Sequence, residues 1–239
     1  MPDRGHDEEE RARTGLGTTP ESRLSRRRVM TASAVFAGAG LAVAPTAAEA
    51  GTGGQAVSLG PSGTTTVEFR GRVEQSGPSF ISYGYLIRAS HADQGDLFSS
   101  TDLKETTALL TAYATGNLQA RTTDGVVHAL DIVGTMTVYQ RSSAGASFSD
   151  PSSFKTGTAV ARYDMRLQDI LTVIATNTGL PTLTGDMLQT FARALSGPLA
   201  GQTFGRTGTR LRFFATGLGN KFDDAPTAKL EIAGNWSIE

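Results

Sequence analysis

Side chains able to do acid–base or ligand chemistry are sparse in this 239-residue chain and fall in a few places. Only two histidines, His91 and His128, lie beyond residue 50. There is no cysteine, which excludes thiol nucleophiles, disulfides, iron–sulfur clusters and zinc–thiolate sites. His128 sits among Val126, Leu130 and Ile132 at alternating positions, so the pattern turns it to the apolar face of a strand, close to a hairpin. An imidazole there is a candidate general base or ligand group at a barrel mouth; the competing reading is a side chain hydrogen-bonded to a carbonyl or water. Asp131 and Tyr139 fall on the opposite face and are too far along it to orient the ring directly.

The run His91-Ala92-Asp93-Gln94-Gly95-Asp96 offers one imidazole and two carboxylates to a divalent cation through His91, Asp93 and Asp96. Its spacing fits no established metal loop, and a solvated polar loop explains it more simply. No metal and no cofactor is therefore expected. Asp223-Asp224 before Pro226 reads as a turn. Arg210 and Arg212 alternate with Leu211 and Phe213, which puts the arginines on an outer face; were that face the lumen, they would bind an anion. For an apolar or carbohydrate ligand the candidates are aromatic. Trp236 is the single tryptophan, while Tyr83 and Tyr85 share a face with Ile81 and Ile87, so alternation assigns all three to the core rather than to an exposed platform. Together with His128 they make up the candidate ligand-binding set.

Recognised catalytic sequences are missing. The chain has no G-x-S-x-G elbow, no H-E-x-x-H helix, no P-loop and no dinucleotide-binding glycine fingerprint. The net charge is −1, and beyond residue 50 no like-charge run exceeds two residues, which argues against a nucleic-acid partner or an anionic membrane surface.

The elements that would position these groups begin after a leader. Ser25-Arg26-Arg27-Arg28 precedes a weakly apolar stretch from Thr31 to Ala44, Pro45 breaks it, and Ala48-Glu49-Ala50 gives a small-x-small cleavage pattern. The apolar stretch has about fourteen residues where a membrane span needs roughly twenty, so it reads as a cleaved signal and not an anchor. The paired arginines, the long polar extension before them and the Ala- and Gly-rich apolar stretch favour a twin-arginine signal peptide over an ordinary secretory one. Residues 1–50 are thus expected to engage the twin-arginine export machinery and a signal peptidase, leaving a secreted, soluble mature form from Gly51. Residues 51–63 read as a flexible linker. Residues 64–239 are then a single domain.

That domain is expected to be all-β and antiparallel. In Thr66 to Glu74, Val67, Phe69, Gly71 and Val73 alternate with charged residues; Lys229 to Glu239 repeats the device. Further strands are expected at Phe80 to Ser90, Ala108 to Arg121, Val126 to Gln140, Thr158 to Leu167 with an extension to Ile174, and Thr209 to Thr216. A short helix is expected over Asp186 to Leu195, where Met187, Leu188, Phe191 and Leu195 have helical spacing. At Thr123-Asp124-Gly125 the apolar pattern selects a three-residue loop with Gly125 in the left-handed region, pairing Leu118 with Leu130 and Ala112 with Met136. Gly71, Gly116, Gly134 and Gly234 each sit mid-strand on the apolar face. Glycine weakens a strand, so this repetition points to sharp bends in a closed barrel of about seven or eight strands, with a β-sandwich as the alternative.

The layout resembles that of small eight-stranded calycin-like or allene-oxide-cyclase-like barrels, a likeness of architecture alone. The inward glycines, the missing catalytic motifs and the few inward polar groups lead to two expected functions. The first is a barrel that binds a small apolar ligand or an envelope partner; the second is an enzyme of isomerase or cyclase type using inward polar groups such as His128.

Overall fold

The computed structural model describes residues 55–239. The leader lies outside the described residues, as does the start of the linker. Eight antiparallel strands follow one another around a closed barrel: β1 (Thr65–Ser76), β2 (Ser79–Ala89), β3 (Leu110–Asp124), β4 (Val127–Gln140), β5 (Thr158–Ala175), β6 (Thr178–Ala192), β7 (Arg210–Lys221) and β8 (Ala228–Ile238). Each strand pairs with its sequence neighbour, and β8 pairs back with β1, so no edge is left open. The sandwich alternative is not needed.

Alternation written in the sequence decides which face turns inward. Phe69, Leu183, Phe213, Ile232 and Trp236 are buried in one core, while Arg212 and Arg166 stand outside in ion pairs with Asp186 and Asp131. The mid-strand glycines let the wall bend. Gly71 lies opposite Gly84, and Gly116 opposite Gly134. A Cβ on Gly71 would sit 2.7 Å from the Tyr83 carbonyl oxygen, and one on Gly134 would run into the Thr115 carbonyl oxygen. A side chain at either position would push adjacent strands apart.

Three expectations fail. Residues Asp186 to Ala192 are not helical; they belong to β6, a strand missing from the sequence reading. Leu183, Met187 and Gln189 face inward there and Leu188 faces out, so the apparent helical spacing mixes two sheet faces, and Leu195 belongs to a loop beyond the strand. The single α-helix among the described residues is a short turn elsewhere, α1 (Gln94–Leu97).

The β3–β4 hairpin also differs. Its loop has two residues, Gly125-Val126, with Asp124 opposite Val127; the irregularity lies inside β3, between Leu118 and Ala120. Leu118 therefore opposes Ile132, and Ala112 opposes Val138. Gly125 does take the left-handed conformation, at φ +56°. A mid-strand bulge corrects the facing of the two apolar sets as well as a longer loop would, and nothing local distinguishes the two.

The third correction concerns the linker. Residues 56–58 within it are packed rather than part of a spacer: Ala56 bridges Thr203, the Val57 amide donates to the Thr203 carbonyl at 3.0 Å, and Val57 is fully buried, while residues 61–63 stay exposed. Together with the connection 193–209, which buries Leu195, Leu199 and Phe204, this segment plugs one end of the barrel. The connections 90–109 and 141–157 run from the same end and cover the outside of β2.

Candidate functional site

The opposite end is open. The strands there are joined by two-residue loops, except for the longer connection 222–227 between β7 and β8. β3, β4, β5 and β6 have 15, 14, 18 and 15 residues, against 12 or fewer in each of the other four, so one side of the wall is longer than the other. A cavity of about 530 Å³ opens there, lined from the long side by Arg121, His128, Leu171 and Val173 and from the short side by Gln75, Lys221 and Leu230. Deeper inside, the barrel is filled: two apolar voids of about 50 and 30 Å³ remain around Met136 and Phe213.

His128 lines this cavity, as its place on the apolar face implied. Its cross-strand neighbour is Thr123, whose hydroxyl lies 3.0 Å from Nδ1. That contact sets the ring's orientation; Nε2 has no hydrogen-bond partner among the described residues. Thr123 does this only because of the β3 bulge. Strict alternation from Ala112 through Leu118 would send residues 121 and 123 outward, whereas the bulge turns Arg121 and Thr123 into the lumen, opposite Leu130 and His128. Arg121 was for that reason invisible as a site residue.

A second residue missed in the sequence is Asp169. It lies on β5 between Leu167 and Leu171, all three on the inward face, and faces Leu130 on β4 and Leu183 on β6. The side chain is 3% exposed, and its Oδ1 accepts the Thr182 amide at 3.2 Å. Burial pushes this carboxyl up to about 6, opposed only by that backbone hydrogen bond; no cation contributes. A lone acid among alternating Met165, Leu167 and Leu171 is a legible signal once β5 is read through to Ala175. One row nearer the opening, His128 faces Leu171. The cavity is therefore lined by apolar Leu171, Val173 and Leu230 together with imidazole, guanidinium, ammonium and amide groups, and the buried Asp169 lies beneath the lining rather than in it.

The other sequence candidates lie elsewhere. Trp236 is buried at the plugged end, against Phe69, Tyr163 and Phe204. Tyr83 and Tyr85 are core-like, yet outside the barrel wall: loop residues Phe98, Phe148 and Phe154 cover them. The Tyr83 hydroxyl donates to Glu74 at 2.9 Å, and burial raises its pKa. His91 is a loop residue whose Nδ1 meets the Ala56 carbonyl at 3.3 Å, while Asp93 stands at the N-cap position of α1 and Asp96 lies within it. No cluster of three or more histidine or acidic side chains is arranged to hold an ion among the described residues. Arg212 faces outward and pairs with Asp186 and Glu239.

The chain matches no family model, no curated protein and no solved structure.

Proposed function

We propose that this chain is an exported, soluble β-barrel protein that holds a small, largely apolar ligand in the cavity at its open end. The observation that carries this reading is the cavity itself. Its volume, about 530 Å³, falls inside the roughly 300–1,000 Å³ range of small-molecule sites, and it joins an apolar floor to a few convergent polar groups. Export rests on the leader, with the twin-arginine machinery and a signal peptidase as partners. Loss of secretion when Arg26 and Arg27 are replaced by lysine supports that route; secretion that survives sinks it.

The binding test uses the neutral fluorophore N-phenyl-naphthylamine. Its emission rises on mixing with the full chain and stays flat with Val173→Trp, which fills the mouth. No rise with the parent chain, or equal rises for the two proteins, refutes the cavity as the site.

The envelope-partner version draws support from exposed aliphatic and aromatic side chains near the opening: Val126, Val127, Ile174, Leu180, Leu218 and Phe222. A partner retained on Leu218→Lys would argue against that surface. The isomerase or cyclase version is favoured by His128 and Asp169 on neighbouring rows of the lumen, and it requires a product chemically different from the bound compound.

A further inference from the structure

The polar groups around the cavity are not balanced in charge. Arg121 and Lys221 line it, and none of its lining residues is Asp or Glu. Neither cation has a carboxylate within 4.0 Å or a hydrogen-bonded or aromatic partner among the described residues. On the outer wall most strand cations are paired, Arg72 with Glu231, Arg88 with Glu68, Arg166 with Asp131 and Lys229 with Glu74, although Arg70, Arg162 and Arg210 have no ion pair there among the described residues. The acids nearest the opening do not correct the imbalance. Asp124 opposes Val127 and so shares its outer face, and Asp223 and Asp224 lie in the β7–β8 connection, outside the lining.

We propose that the cavity takes an amphipathic monoanion, an apolar body bearing one carboxylate, with Arg121 and Lys221 seating the acid and Leu171, Val173 and Leu230 covering the body. This rests on the reading of the cavity as a ligand site. The inward-facing titratable groups at this end are Arg121, His128 and Asp169, with Lys221 at the rim. They fix the direction of binding. The deep lining residues Leu171, Val173 and Leu230 offer a carboxylate no cation, whereas at the rim it meets two cations that no carboxylate among the described residues neutralises. A guanidinium–carboxylate contact is charge-assisted and can be bidentate, and a neutral hydroxyl in the same place gains less.

Calorimetric titration of the full chain with decanoate, decanol and decylamine near neutral pH tests the assignment. Decanoate is expected to bind about tenfold tighter than decanol, and decylamine weakest. The double variant Arg121→Gln/Lys221→Gln is expected to lose that preference and keep its affinity for decanol, and Val173→Trp to lose both. Decanol or decylamine binding as tightly as decanoate overturns the proposal, as does a double variant that still prefers decanoate. If N-phenyl-naphthylamine still binds in those cases, the charge class fails and the cavity stands. If the fluorophore and all three compounds fail to bind, both fall together.

Discussion

The same eight strands form both ends of the barrel, and what joins them makes the ends different. At one end the connections are long, and residues 56–58 and 193–209 fold inward to bury Val57, Leu195, Leu199 and Phe204 against Trp236. At the other, three of the four connections are two-residue turns, and the uneven strand lengths open a cavity with exposed cations, the buried Asp169 lying beneath it. Closure itself is made by the β1–β8 ladder, and the plugged end adds packing to it. The open end is free to carry groups that add nothing to stability.

The largest test of that contrast is at the plugged end. Trp236 packs with ring centroids 6.0 Å from Phe69 and 5.6 Å from Tyr163, and is 1% exposed. Trp236→Ala is expected to lower unfolding free energy by about 3–5 kcal/mol, read from urea denaturation followed by circular dichroism. A loss under about 1 kcal/mol would mean that the plug does not anchor the fold.

The next effect has the opposite sign and sits at the open end. Asp169 has a folded-state pKa raised to about 6, so its proton is held more tightly in the folded chain than in the unfolded one. The ionised form is the penalised one. The cost is absent below about pH 4, grows as pH rises through about 6, and is complete above that. Asp169→Asn keeps an acceptor for the Thr182 amide and removes the charge, so it is expected to stabilise by about 2 kcal/mol near pH 8 and by little near pH 4. Equal changes at both pH values would show that the carboxyl is not desolvated. A smaller loss is expected from Val57→Ala, roughly 1–2 kcal/mol, because only two methyl groups leave the plug. No change would return residues 56–58 to the status of a spacer.

How far this contrast could be read in the sequence depends on which face each residue takes. β1 and β8 are written in strict alternation and were legible, as were the glycines that bend the wall and the inward placement of His128. β6 was not, because Gly179, Pro181 and Gly185 stand at inward positions where apolar side chains would mark the period of two, while Leu180 and Leu188 face out. The plug was concealed by composition: Val57 is one apolar residue in a Gly- and Ser-rich stretch, and its burial depends on meeting Thr203 from the far end of the chain. Asp169 was readable by its place among apolar residues. Arg121 was not, since its inward direction comes from a bulge that changes facing without leaving any local signature.

Arg121 also supplies the smallest stability effect and the one that separates function from fold most cleanly. Its side chain is exposed and without an ion-pair partner among the described residues, so Arg121→Gln removes no packed group and leaves no buried partner unsatisfied. Substitutions of this kind fall within about 0.5 kcal/mol of the parent in stability. At the plugged end a change that leaves stability untouched has no other consequence to report, whereas here the same silent change is expected to weaken decanoate binding severalfold while decanol binding holds. Urea denaturation and calorimetry on one preparation give both numbers. If Arg121→Gln costs more than about 2 kcal/mol, the open end is structural after all, and its cations are there to hold the long strands together.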